Sequence, residues 1–210
     1  MRSKFDEQLA LLNRDLTKMG SLCEEALALA AKALANADGQ TAAKIAPIDS
    51  EIDQMERTIE SLCLKLLLQQ QPVARDLRQI SAALKMITDM ERIGDQASDI
   101  AEIIGFLNGR IGTDAQYICQ MAVAAMRMVT ESVEAYVKRD VAMAEATIQH
   151  DDVVDDLFLK VKESLIQMIS ENPKDGEYAL DLLMIAKYFE RIGDHATNIA
   201  EWVVFSVTGV

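Results

Sequence analysis

The residues best placed to do chemistry in this chain are carboxylates, and they occur in a spaced series that is written twice. Asp89-Met-Glu-Arg-Ile-Gly-Asp-Gln-Ala-Ser-Asp-Ile-Ala-Glu102 is matched by Tyr188-Phe-Glu-Arg-Ile-Gly-Asp-His-Ala-Thr-Asn-Ile-Ala-Glu201, at a constant offset of 99 (190 − 91). Glu91, Asp95, Asp99 and Glu102 therefore correspond to Glu190, Asp194, Asn198 and Glu201. A second acidic pair precedes each copy: Asp49 and Asp53, then Asp151 and Asp155, at an offset of 102 (151 − 49). Carboxylate clusters without sulfur and with almost no histidine suit hard or borderline cations such as Mg, Mn, Ca or Fe, with Zn at the borderline end. The competing reading is a solvated acidic face.

Two costs favour the metal reading. Like charges four residues apart on a helix destabilise it by ~0.2–0.5 kcal/mol per pair, and the Glu91–Asp95–Asp99 series stacks two such pairs. Gly94 and Gly193 sit in the middle of the same segments, where glycine costs about 1 kcal/mol relative to alanine. Both costs are kept in both copies. At about 100° per residue, Glu91, Asp95 and Glu102 lie within roughly 40° of one another, with Asp99 about 40° further round. Met86, Met90, Ile93, Ala97, Ile100 and Ile104 gather on the opposite side, so the carboxylates face away from the apolar core.

The elements that must carry these residues are helices. Leu9, Leu12, Leu16, Met19, Cys23, Leu27, Ala30 and Leu34 recur at spacings of three and four, which predicts one long helix from about Lys4 to Ala35. Asn36-Ala-Asp-Gly39 breaks it with turn residues. A second helix opens near Pro47 and carries Ile48, Ile52, Met55, Ile59, Leu62, Cys63, Leu66 and Leu67, ending in Gln69-Gln-Gln-Pro72. A third starts near Val73 and runs through Leu77, Ile80, Leu84, Ile87 and the acidic series to about Leu107. Asn108-Gly109 and Gly112 mark the boundary between halves 1–109 and 110–210. The second half repeats the plan with helices at Gln116–Lys138, after Asp151, and from Tyr178 to Ser206. The expected fold is all-α: two tandem, internally repeated three-helix bundles, six helices in all. Antiparallel packing would bring the start of each second helix towards Glu102 or Glu201.

Composition narrows the function classes. The chain has 210 residues, 50% of them hydrophobic and 5% aromatic, enough for a core in each half. A net charge of −13 argues against nucleic acid, whose phosphates require basic patches. Cys23, Cys63 and Cys119 are odd in number and far apart, which fits reduced thiols in a cytosolic protein. The first residues, Met1-Arg-Ser-Lys-Phe-Asp-Glu, have no apolar signal segment, and no run reaches the ~20 apolar residues of a membrane span. A di-iron oxidase would need Glu-x-x-His pairs pointing inward, and neither His150 nor His195 supplies one. No nucleophile with a neighbouring base and no phosphate-cradling glycine loop is present. His195 replaces Gln96 of the first copy and is a candidate auxiliary ligand, whereas Trp202 replaces Ile103 and reads as core. Arg75 and Arg78 fall in the first turn of a helix, where the dipole disfavours them; they are candidate partners of the acidic patches or of another protein, beside the plain reading of ordinary surface.

On these residues the chain resembles the PhoU family, accessory regulators of high-affinity phosphate uptake. The resemblance is carried by the paired Glu-Arg-Ile-Gly-Asp segments, by Ala74-Arg-Asp-Leu-Arg78, by Asp38 and Asp140 at the turns, and by the closing Ile199–Gly209 run. It implies two similar three-helix bundles whose Glu/Asp-x-x-x-Asp motifs bind metal clusters: Glu91, Asp95 and Asp99 with Asp49 and Asp53, and Glu190, Asp194 and Asn198 with Asp151 and Asp155. Asn198 departs from the acidic pattern, so the second site should bind metal more weakly. The resemblance further implies a cytoplasmic, non-enzymatic adaptor and negative regulator of the phosphate-starvation response. Its expected partners are the ATPase subunit of a phosphate ABC transporter and a phosphate-sensing histidine kinase. It would form a homodimer and meet the membrane only through those partners. The competing classes are a metal-dependent enzyme, which would lose turnover on chelation, and a metal store, which would hold many ions per chain.

Overall fold

The computed structural model describes residues 2–69, 72–107, 109–110 and 115–209. The helices are α1 (Arg2–Asn36), α2 (Gly39–Ala42), α3 (Ile45–Gln69), α4 (Ala74–Phe106), α5 (Gln116–Lys138), α6 (Val141–Gln149), α7 (Asp151–Glu171) and α8 (Gly176–Thr208), with a 3-10 turn at Pro173–Asp175 before α8. There is no strand among the described residues, and no helix of theirs is long and apolar enough to cross a membrane. Six helices are long, as the periodicity predicts. The short α2 and α6 are additions, and both arise from one device. Ala37 and Arg139 take left-handed conformations (φ 53 and 56), which ends the preceding helix by a backbone bond from Asp38 to Ala33 and from Asp140 to Ala135. The next residue, Asp38 or Asp140, then caps a new helix: its carboxylate accepts from Gln40 N at 2.9 Å or from Met143 N at 3.0 Å. The expected boundary at Asn108 and Gly112, like Gln70 and Gln71 of the first long turn, lies outside the described residues.

Each half is an up-down-up set. Ala46 lies by Glu102 and Asp49 by Ser98, while Ile52 lies by Gly94, so α3 runs antiparallel to α4. The apolar stripes are buried as their spacing requires: Leu12, Leu16, Met19, Cys23, Leu27, Ala30 and Leu34 on α1, and Ile52, Ile59, Cys63 and Leu66 on α3. Leu77 is the exception, 46% exposed on the first turn of α4. The two halves share one continuous core, because α1 packs on α5 and α4 on α8. The α4–α8 pair is antiparallel along its length: Arg78 meets Gly209, Lys85 lies over Trp202, Asp89 meets Asn198, and Asp99 faces Tyr188. A duplicated chain packed this way has an approximate internal two-fold, in which each half offers the other the same face. Trp202 sits partly buried in this seam, edge-on to Phe205, as a core-type residue.

Candidate metal centre

The mid-helix glycines find their reason in the approach of α3 to α4. A Cβ on Gly94 would lie 2.7 Å from Asp49 Oδ1 and 3.0 Å from Ile52 Cδ1, and one on Gly193 would lie 3.1 Å from Asp151 Oδ1. Glycine therefore lets the first turns of α3 and α7 set a carboxylate directly on the backbone of α4 and α8.

In the first half this produces a convergent cluster. Asp49 and Asp53, one turn apart on α3, and Asp95 on α4 each offer an oxygen, and the three oxygens lie within 4.8 Å of one another. Ser98 Oγ donates to Asp49 Oδ2 at 2.9 Å, while Asp49 Oδ1 is buried and accepts no hydrogen bond. Burial, and then the charges of Asp95, Asp53 and Asp99, push the Asp49 carboxyl above its ordinary pKa. Glu91 is raised by burial and then by Asp95; Glu56 is raised by burial and then by Glu60 and Asp53. Three partly buried carboxylates held together, one with an oxygen lacking any donor, is an arrangement that a hard divalent cation satisfies: it neutralises the repulsion and takes up the orphan lone pairs. The donor set therefore fits the inferred metal. Arg92 offers partial compensation, donating to Asp95 Oδ2 at 3.0 Å and approaching Glu91 at 3.5 Å.

The second half holds the corresponding residues more loosely. Asp151, Asp155, Glu190 and Asp194 share one neighbourhood, and burial followed by the Asp155, Asp194 and Glu190 charges raises Asp151 to about 6. Asp155 and Asp194 are exposed, and Glu190 is ion-paired with Lys187, which stands where the first half has Thr88. Among the described residues, only Asp49, Asp53 and Asp95 converge tightly enough to form a three-carboxylate ion site.

The remaining expected residues lie elsewhere. Asp99 turns towards α8, where its charge and, more strongly, burial raise the Tyr188 phenol. Asn198 Nδ2 and His195 Nδ1 both meet Asp89 Oδ1, at 3.1 and 2.8 Å, in the α4–α8 seam. Glu102 and Glu201 are exposed, and Glu102 borders a shallow groove with Ala46. Arg75 and Arg78 are roughly 25–30 Å along α4 from Asp95, too far to partner the cluster. Sequence reasoning missed Ser98 and Glu56. Ser98 and Thr197 recur at the repeat offset as hydroxyls beside a carboxylate, and that recurrence was a readable signal.

The fold and the cluster define an internally duplicated all-α protein with a carboxylate-lined contact between the second and third long helices of each repeat. Comparison with known proteins makes this specific. The PhoU domain model matches residues 16–104 and again 118–203. The phosphate-specific transport system accessory protein PhoU homolog of Clostridium acetobutylicum is 36% identical over 99% of this chain and 96% of its own length. The one from Synechocystis is 36% identical over 99% of this chain and 93% of its own length. The crystal structure of PhoU from Pseudomonas aeruginosa superposes with a TM-score of 0.94 at 34% identity, covering 98% of this chain and all of that one. The phosphate transport system regulatory protein PhoU from Streptococcus pneumoniae gives 0.89 at 26% identity, covering 98% of both chains. The chain belongs to the PhoU family.

Proposed function

We propose that this protein is a non-enzymatic accessory regulator of phosphate uptake. It acts as an adaptor between the ATPase subunit of a phosphate ABC transporter and a sensor histidine kinase, with a divalent cation at the Asp49–Asp53–Asp95 cluster. The observation that supports this most is the full-length likeness to PhoU proteins named for phosphate transport, with both repeats matched. Acting at the inner face of the membrane through those partners, and as a homodimer, follows from the same family reading. The cluster has a structural task in this scheme. Asp49, Asp53 and Asp95 would hold such an ion between α3 and α4, with Ser98 orienting Asp49 and Gly94 leaving room for it; the ion would supply positive charge there.

The test is a binding assay with the purified ATPase subunit and the cytoplasmic portion of the kinase, in Mn²⁺ and in chelator. It would use wild type and an Asp49→Asn/Asp95→Asn variant. Wild type should bind at least one partner. The variant should lose Mn²⁺ affinity by on the order of 100-fold, since ligand-orienting groups alone carry 10–100-fold. Loss of partner binding in chelator places the metal at the interface. Failure to bind either partner under any condition rejects the adaptor reading.

A further inference from the structure

The basic residues of this acidic chain are distributed unevenly. Arg57, Arg92, Arg110 and Arg127 are each paired with a carboxylate. Arg75, Arg78 and Arg139 have no ion-pair partner among the described residues; Arg14 and Arg191 also lack one, but only these three are gathered together. Arg75 and Arg78, three residues apart, share one face of the first turns of α4. Arg139 reaches that face from the end of α5, its Nη1 3.4 Å from Oε1 of Gln79. Gln79 is itself fixed: its carbonyl accepts from the Tyr136 hydroxyl at 3.1 Å, and its side-chain amide donates to Asn13 at 3.3 Å. Arg78 is laid along the end of α8, where a Cβ on Gly209 would be 3.5 Å from its guanidinium, and its buried Nε finds no acceptor. Two of the three guanidiniums are thus held in place before any ligand arrives.

Backbone needs do not explain Arg139. It occupies a left-handed position (φ 56) that Ala37 fills in the first half (φ 53), where Asn or Gly would be less strained. Burial, and the charges of Arg75 and Arg78, lower its pKa below the usual guanidinium range, and Tyr136 and Asp76 offset them only in part. Like charges gathered and oriented at a cost call for an anion, and arginine forks match the oxygens of a tetrahedral oxyanion.

We propose that Arg75, Arg78 and Arg139 form a binding site for a phosphate group, either free orthophosphate or the terminal phosphate of a lipid headgroup. Three positive charges and one negative, from Asp76, leave a balance that suits a dianion. Leu77 and Val73, 46% and 55% exposed, flank the arginines, so the lipid source has an apolar surface to rest on. The site stands roughly 25–30 Å from Asp95 and is independent of the metal cluster.

Calorimetric titration of the full chain with sodium phosphate, in chloride-poor buffer with chelator, tests the first source without interference from a cation at the aspartates. Co-sedimentation with phosphatidylcholine vesicles, with and without phosphatidic acid, tests the second. Saturable binding in either arm is expected, with roughly tenfold weakening for each of Arg75→Gln, Arg78→Gln and Arg139→Gln. Sulfate should compete, and Arg127→Gln should change nothing. Arg75 is exposed, so Arg75→Gln keeps the test valid even if the half-buried variants fold poorly. Silence in both arms, or binding that persists in Arg75→Gln/Arg139→Gln, overturns the site.

Discussion

The two halves place the same helices around the same kind of carboxylate pair, yet the chemistry at the two contacts has diverged. In the first, Ser98 donates to Asp49, Thr88 leaves Glu91 without a lysine, and three aspartates converge. In the second, Lys187 takes Glu190, and the hydroxyl of Thr197, equivalent to Ser98, is buried without a partner. Asp151, which gets no hydrogen bond from that hydroxyl, is raised to about 6. The glycine contact records the same difference: 2.7 Å at Gly94 against 3.1 Å at Gly193. Duplication preserved the scaffold, whose apolar stripes tolerate little change, and left the contacts free to specialise. One contact is compressed, with three aspartates drawn together; in the other, a lysine supplies part of the compensation and Asp151 is raised to about 6.

The sharpest way to break this comparison is to add one methyl group to each glycine. Gly94→Ala drives a Cβ into Asp49 Oδ1 and Ile52 together. The overpacking costs ~1–3 kcal/mol, against about 1 kcal/mol gained in helix propensity, so a net loss of up to about 2 kcal/mol is expected, with weaker Mn²⁺ binding as Asp49 moves away. Gly193→Ala meets only one atom inside 3.4 Å, and its net change should stay within about 0.5 kcal/mol. Urea denaturation in chelator measures both. Equal losses would mean that the two helix contacts are equally tight.

The fold was largely legible because its signal is redundant. The stripe from Leu12 to Leu34 is helical by spacing alone, and a second copy, offset by 102 and then by 99, repeats the plan. The short α2 and α6 were not legible, since the left-handed residues that create them are Ala37 and Arg139 rather than glycine. At the site, the spacing of Asp49, Asp53 and Asp95 showed which faces carry charge but not the register of α3 on α4. That register depends on how closely Gly94 lets the helices meet, and it puts Ser98 rather than Glu102 opposite Asp49. Asp99 and Asn198 match the motif by spacing, yet they lie where the helix has turned towards the seam, which one helix read alone does not reveal.

A pH series separates the contacts next. Asp151 is held above its unfolded value of 3.8, so the folded state binds its proton more tightly than the unfolded state does. Its contribution to stability is therefore full below about pH 3.8 and is lost as pH rises through about 6. In metal-free protein, Asp151→Asn should flatten that decline. Because the carboxylate is substantially solvent-screened, the gain at neutral pH should be about 1 kcal/mol rather than the full linkage value. Chemical denaturation between pH 4.5 and 7.5 gives the slope, and an unchanged slope in the variant would remove Asp151 as its source.

The smallest effect concerns the two hydroxyls, and it separates geometry from charge. Ser98→Ala removes the one hydrogen bond that orients Asp49, so it should cost ~1 kcal/mol and lower Mn²⁺ affinity by roughly tenfold, the scale of a ligand-orienting group. Thr197→Val keeps the shape of the side chain and deletes a buried hydroxyl that has no partner. An unsatisfied buried hydroxyl carries a desolvation penalty, so Thr197→Val should be neutral or stabilising by up to ~1 kcal/mol, with little change in metal binding. Opposite signs from equivalent positions would show that divergence acts through the orientation of Asp49 and not through net charge, which neither substitution alters. A comparable loss in Thr197→Val would mean that its hydroxyl turns to Asp151 in solution, and the second contact would then be as ordered as the first.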